Sequence, residues 1–482
     1  MKTPLLYSLM LVIPFLSGCI SMAPKYNRPE APVPTNWPEG SAYGNTPSND
    51  APAAVDLEWR EFFTDEKLQH VISITLTNNL DLRLAALNVE RVRALYGVQR
   101  AELLPAVNAV GAGGKQRSSA DLTQTGQPRS TERYDVNLGI VSWELDLFGR
   151  IRNMKEKALQ EYLSTEEAHR GAQISFISAV AQAYLVLAAD RGNLNLAQST
   201  LETQQGSYDL IRRQYDAGVA TELDLIRSQT QVDAAKGEIA RFTQRVAQDQ
   251  NALNLFAGST VPEALLPADL ASVGPLKDIA PGLSSSVLLG RPDIMAAEHQ
   301  LQGANALIGA ARAAFFPRIS LTAALGIASD DLSGLFGTGS DTWSFTPQVA
   351  LPIFDARVWA ASRVSKSIQK IALTQYEKSI QTAFREVADA LAVRGTIVQQ
   401  VAAQQAIVDS TQKIYGLSDE LFTQGIAGYL GVLDAQRSLY AAQQGLISLR
   451  LAKLANQVQT FAVLGGGTQQ LHSEADHRVP VK

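Results

Sequence analysis

Between Arg129 and Val261 the chain carries no proline, and its apolar positions change period once. Tyr134, Val136, Leu138 and Ile140 alternate with Asp135, Asn137 and Gly139, the two-residue rhythm of a strand with one apolar face. After Phe148-Gly149-Arg150 a helical pattern takes over, rich in Ala, Gln, Leu, Glu and Arg, and holds to Tyr215. It breaks at Asp216-Ala217-Gly218-Val219 and resumes from Glu222 to Ala257. The first leg, residues 150–215, makes a helix about 100 Å long at roughly 1.5 Å per residue. Helices in ordinary globular domains average about 11–12 residues. So long an element predicts a coiled coil, a solenoid or a tube.

The same plan returns. Phe345, Val349, Leu351 and Ile353 alternate with Ser344, Thr346, Gln348 and Ala350. A helical pattern then runs from Arg357 to Phe422, breaks at Thr423-Gln424-Gly425-Ile426-Ala427-Gly428, and resumes to Leu464. Gly218 and Gly425 are 207 residues apart, and Phe148 and Phe354 206. Upstream, Asp81 pairs with Asp293 and Pro105 with Pro317, both 212 apart. The chain reads as a tandem duplication. Each half is helix, strand, strand, long helix and second helix. The first repeat spans 57–258, and a proline-rich linker covers 259–290. The second repeat spans 291–466, and a polar tail covers 467–482.

Smaller elements follow from the same reasoning. Helices are expected over 65–77, 80–103 and 294–314, with Pro105 and Pro317 ending the last two. A weak, glycine-rich strand is expected over 106–114 and an alternating one over 319–327, with a polar loop over 115–129. Pro347 lies inside the fourth strand, which tolerates it best at a bulge or where hydrogen bonding is interrupted. The four strands alternate apolar with small or polar residues, as in the wall of a transmembrane barrel, with Tyr134, Trp143 and Trp343 suited to its interfacial girdles. Four strands do not close a barrel, and open edges are excluded from lipid, so closure requires several chains. In the second long helix Ile380, Phe384, Val387, Leu391, Arg394, Val398, Val401, Gln405 and Val408 advance by fours and threes, a coiled-coil seam.

The N-terminus changes the picture of where this happens. Lys2 precedes an apolar run from Leu5 to Leu16, a signal peptide over 1–18 that is too short to span a bilayer. Leu16-Ser17-Gly18-Cys19 fits a bacterial lipobox, with cleavage before Cys19 and acylation of its thiol; the plainer alternative is a signal peptide with a chance cysteine. Cys19 is the only cysteine in 482 residues, which excludes a disulfide within the chain. Residues 19–56 carry seven prolines between Pro24 and Pro52 and predict an extended tether wandering along the outside of the body.

Candidate chemistry is sparse. The net charge of −5, without basic runs, argues against nucleic acid. Gly111-Ala112-Gly113-Gly114-Lys115 lacks a phosphate loop's first glycine, since Ala109 stands there, and no helix follows. The five histidines are scattered, and His472 and His477 sit in the polar tail. No catalytic residue, metal site or cofactor is expected. An envelope hydrolase would need a nucleophile and base that are not evident, and a coiled-coil scaffold would not need lipid-facing strands.

The lipobox, the duplicated halves, Tyr215-Asp216-Ala217-Gly218 with Leu223-Asp224, the run Tyr429-Leu430-Gly431-Val432-Leu433-Asp434-Ala435-Gln436-Arg437 and the terminal Leu464-Gly465-Gly466-Gly467 resemble the outer membrane factor family, the efflux lipoproteins of OprM–NodT type. That resemblance covers nearly all of the mature chain. It implies an α+β membrane protein forming a homotrimer: a twelve-stranded outer-membrane β-barrel continuous with a periplasmic α-helical barrel. It also implies a periplasmic adaptor (membrane fusion) protein and a proton-driven inner-membrane efflux pump as partners, and a passive duct for small molecules. An export duct for peptides or proteins, as in type I-like secretion, is the alternative. Ile20 after Cys19 resembles the sorting pattern for the outer membrane. By the same resemblance Ala217, Gly218, Val219, Gly425 and Ile426 meet the adaptor, and Leu430 and Asp434 form a pore gate. Leu223 aligns with Leu430 in the first repeat, but Arg227 stands where Asp434 would be.

Overall fold

The computed structural model describes residues 21–43, 57–122, 129–280 and 284–467. The signal peptide, Cys19 and residues 468–482 with His472 and His477 lie outside them. In chain order the elements are α1 (Trp59–Phe62), α2 (Glu66–Asn78), α3 (Leu80–Ala101), β1 (Val107–Ser118), β2 (Arg129–Leu145), α4 (Arg150–Asp216) and α5 (Glu222–Ala257). The second half brings α6 (Pro292–Ala313), β3 (Arg318–Ser329), β4 (Asp341–Ala350), α7 (Ala356–Thr423) and α8 (Tyr429–Val463). The long helices α4 and α7 have 67 and 68 residues. Both halves therefore run helix, strand, strand, long helix, helix. Two compact units cut across this order, and each draws on both halves. One gathers Val89–Thr165 and Ala296–Tyr376 with the chain up to Glu30; the other gathers Ala31–Asn88, Glu166–Met295 and the chain from Glu377.

The first unit contains one antiparallel sheet in the order β1-β2-β3-β4. The register sorts its side chains by chemistry. Val107, Ile140, Ala323 and Phe345 share one face through successive pairings, as do Ala109, Leu138, Leu325 and Trp343. The opposite face carries Asn108, Asn137, Gly139, Thr322, Ala324, Ser344, Thr346 and Gln348. Tyr134, Trp143 and Trp343 all belong to the apolar face. No described residue covers that face at Leu325 and Trp343, which are 68% and 78% exposed. The strands are longer than alternation suggested, because Lys115–Ser118 pairs with Arg129–Glu132, where both strands are polar and show no period. The expected loop at 115–129 thus begins as strand. Pro347 sits on β4, an edge strand of this sheet. The irregularity lies instead in β2, between Ile140 and Trp143. Ser142 there has φ of 52°, and its N–H donates to Thr322 Oγ1 at 3.2 Å.

Below the sheet, the strand-to-helix junction is held by charge. Glu144 accepts two bonds from Arg150, both 2.8 Å, and pairs with Arg318 at 2.6 Å, with its side chain only 8% exposed. Phe148 stacks on Phe316 at 4.9 Å. The N-terminal segment does not wander here. Ser21 Oγ donates to Asn153 Oδ1 (2.7 Å), Asn305 Nδ2 to the Pro24 carbonyl (2.7 Å) and Arg312 Nη1 to the Met22 carbonyl (3.1 Å). Tyr26 and Arg28 both bond the buried Glu298 carboxylate, Arg28 in a fork of 2.9 and 2.6 Å. Proline removes donors from this strap, so its carbonyls and its two long polar side chains make the contacts.

In the second unit the core closes around Phe62, Phe63 and Phe461, the first and last stacked at 4.3 Å. Val71, Ile72, Tyr184, Leu187, Leu253 and Val458 are buried in this unit too. The described linker residues pack on this unit: Leu266, Leu276 and Leu288 are buried, and Phe63 and Leu276 form a β-bridge. Thr35 and Trp37 continue the strap, the former accepting from Ser285 N–H at 2.8 Å and the latter stacking on Phe384 at 5.3 Å.

A half-buried acid in this unit makes stability depend on pH. Burial, then the neighbouring Asp190 carboxylate, pushes Asp249 up to about 6, with Arg245 opposing. A carboxyl whose folded pKa is raised stabilises the fold fully only below its unfolded pKa, and that contribution is lost as pH rises through 6. Asp249→Asn is therefore expected to match the unmodified protein near pH 4 and to gain about 1 kcal/mol at pH 7.5, the gain being reduced by partial solvent exposure. Denaturant midpoints across pH 4–8 measure this; a gap that does not widen between pH 4 and about pH 6, then level off, contradicts it.

Candidate functional site at the helical hairpin tips

Both long helices end in the same backbone motif. Gly218, with φ of 76°, and Gly425, with φ of 73°, adopt the left-handed conformation that side chains resist. Val219 N–H then donates to the Gln214 carbonyl at 2.8 Å, and Ile426 N–H to the Leu421 carbonyl at 3.0 Å, the six-residue closure of a Schellman cap. The reversal leaves Val219 and Ile426 at the tips, 76% and 69% exposed.

The return helices start differently. Thr221 caps α5 with a capping box, its Oγ1 accepting from Asp224 N–H at 3.2 Å and donating to Asp224 Oδ2 at 2.6 Å. Gly428 stands at the start of α8 and supplies no side-chain cap. Sequence inspection could have found this, since Thr221-Glu222-Leu223-Asp224 has capping-box spacing and Gly428-Tyr429-Leu430-Gly431 does not.

Beneath the tips lies a core that the sequence reading missed. Ile211, Tyr429, Val432 and Leu433 are buried together, with Ala220, Leu225, Tyr415 and Phe422 packed against them. Phe422 and Tyr429 are 5.3 Å apart, and burial pushes the Tyr429 phenol up to about 12. Because Tyr429, Val432, Leu433 and Gln436 turn inward, Leu430 and Asp434 share the unpacked face of α8. Leu430 is half exposed, as is Leu223 of the first repeat, whereas Arg227 is partly buried. The fold thus brings the two gate candidates onto one face and the five tip candidates onto two solvent-facing turns. Among the described residues no group of three or more His, Cys, Asp or Glu could hold a metal ion.

The sequence profile described as outer membrane efflux protein matches this chain twice, over 71–259 and 283–466. The chain belongs to the outer membrane efflux protein family. It is 45% identical over 481 residues to the toluene efflux pump outer membrane protein TtgC of Pseudomonas putida, covering 100% of this chain and 99% of the relative. It is 40% identical to the outer membrane protein OprJ of Pseudomonas aeruginosa, over 97% of each. Among solved structures, the open state of the Neisseria gonorrhoeae MtrE outer membrane channel superposes with a TM-score of 0.84 at 36% identity, covering 93% of this chain and 98% of that one. The profile and TtgC are named for efflux, which favours that reading over peptide secretion and over a scaffold.

Proposed function

We propose that three copies of this chain close one outer-membrane duct through which a tripartite pump exports small apolar or amphiphilic molecules. The observation that carries this is the sheet: four strands with one bare apolar face, one polar face and two edges left unpaired within the chain. Lipid accepts the apolar face but not open edges. Three copies give twelve strands, enough to close around an aqueous lumen lined by Asn137, Thr322, Ser344, Thr346 and Gln348. The long helices continue the duct into the periplasm. Leu430 and Asp434 would then repeat threefold as an apolar ring and a carboxylate ring, admitting cations more readily than anions. Transport is passive in this subunit, and the driving force comes from an inner-membrane pump reached through a periplasmic adaptor. Toluene is what one relative is named for exporting, and a duct of this kind suits apolar cargo.

Acylated Cys19 would anchor each chain, but a closed barrel is held in lipid by its own apolar face. Cys19→Ser behind an ordinary signal peptide is expected to give membrane-inserted trimers that conduct in planar bilayers. A variant found soluble and monomeric in the periplasm would refute the barrel.

The two tips are the adaptor-binding rim in this reading. Glycine there keeps the turns tight, and Val219 and Ile426 offer apolar knobs to a helical partner. Val219→Trp together with Ile426→Trp is expected to cut export about tenfold or more, while trimer yield is unchanged because neither side chain is packed. Cellular accumulation of a fluorescent pump substrate measures the loss; full export by the double variant removes the rim from the interface.

A further inference from the structure

A cavity of about 70 Å³ for water-sized centres, within about 390 Å³ of free space that includes its open mouth, lies between α4, α5 and α8. One water needs roughly 10–15 Å³ of the first measure, so the cavity has room for more than a bridging water. Its walls are apolar where Ala197, Ala234 and Ala235 meet. Two primary amides from opposite helices also line it, Gln204 on α4, 4% exposed, and Gln436 on α8, 5% exposed. Neither amide is satisfied. Gln204 Oε1 has no hydrogen-bond partner, and neither do Oε1 and Nε2 of Gln436. Gln231 and the exposed Arg437 also line it; three other polar groups have partners. Thr200 Oγ1 donates to the Leu196 carbonyl at 2.8 Å, Tyr440 OH donates to Glu238 Oε2 at 3.4 Å and accepts from Gln444 Nε2 at 3.0 Å, and Glu238 pairs with Arg241.

Buried polar atoms without partners are rare in folded chains and call for a ligand or ordered solvent. The unmet set is specific: two carbonyl oxygens that want donors and one amide nitrogen that wants an acceptor. A primary carboxamide supplies two N–H donors and one carbonyl, and can meet Gln436 head to head while its second N–H reaches Gln204. A carboxylate cannot donate, and a plain hydrocarbon offers nothing to either amide. We propose that this cavity is a binding site for a small neutral molecule bearing a primary carboxamide on an apolar body, the body lying against the alanine wall. The site goes beyond the export duct and needs neither a closed barrel nor an open gate. Because Gln436 lies on the packed face of the helix that carries Asp434, an occupant fastens α8 to the α4–α5 hairpin.

The test uses the full-length protein in detergent with benzamide as probe, followed by saturation-transfer NMR and by calorimetric titration. Saturable benzamide binding is expected, undisturbed by equimolar toluene or benzoate. Gln436→Leu, which keeps the side chain's bulk but removes both hydrogen-bonding atoms, is expected to weaken it on the order of tenfold. Ala234→Leu on the exposed wall fills the cavity from the other side, and is expected to abolish binding without touching either amide. No saturable signal up to the solubility limit of benzamide overturns the proposal, as does equal binding by the unmodified protein and a folded variant of either kind.

Discussion

Replacing Leu430 and Asp434 together with alanine is expected to raise single-channel conductance roughly two- to fourfold in planar bilayers and to weaken cation preference, since in the proposed trimer an apolar and a charged ring would both leave the constriction. The fold supports a local effect. Both side chains lie on the unpacked face of α8, so truncation leaves the core of Tyr429, Val432 and Leu433 intact. The two return helices also differ in their caps. A glycine N-cap costs a helix only a few tenths of a kcal/mol relative to Ser or Thr, and α8 starts at Gly428 while α5 keeps its Thr221 box. The single variants separate the two rings: Leu430→Ala should change conductance with selectivity nearly preserved, and Asp434→Ala should shift the reversal potential in a salt gradient. Conductance and selectivity equal to those of the unmodified channel would remove the gate from this face and leave the duct standing.

The largest loss is expected at Gly326. A Cβ there would sit 2.2 Å from the Val136 carbonyl oxygen and 2.8 Å from Asn137 Cα, both backbone atoms of the paired strand β2. Backbone in a ladder cannot move aside without breaking its own hydrogen bonds. Gly326→Val should therefore reduce membrane-inserted trimer below about a tenth of the normal yield, through strain at a site that cannot relax. Gly114 on β1 is the internal control, because a Cβ there meets nothing within 4 Å. Gly114→Val should assemble normally. Heat-modifiable trimer bands from outer-membrane fractions compare the two, and equal yields would contradict the steric account.

What could be read from the sequence was whatever had a period or a punctuation mark. The second return helix emerges within a residue of its expected end, and α5 spans Glu222–Ala257 as the pattern indicates, because Gly218 and Gly425 interrupt otherwise unbroken helical stretches. Strand interiors were legible where lipid-type and polar residues alternate, and their polar ends, Lys115–Ser118 and Arg129–Glu132, were not. The same limit explains the strap, whose contacts run through carbonyls and through Tyr26 and Arg28, leaving no period to detect. Leu430 and Asp434 share a face by spacing alone, but that this face is the unpacked one depends on Ile211 and Phe422 of other helices. The unpaired amides of Gln204 and Gln436 come from helices separated by more than two hundred residues. No local pattern marks them.

The strap also sets an order of events in biogenesis. Its residues leave the ribosome first, yet Tyr26 finds Glu298 272 positions downstream, and Pro24 and Met22 find Asn305 and Arg312 later still. Apart from Ser21, which meets Asn153 of the first repeat, these strap residues have no seat until α6 has formed. The entropy of closing so long a loop grows only slowly with its length, so waiting adds little thermodynamic penalty, but it does impose a sequence in time. A chain truncated before Glu298 keeps its strap loose and open to proteases, whereas a finished chain tucks it away.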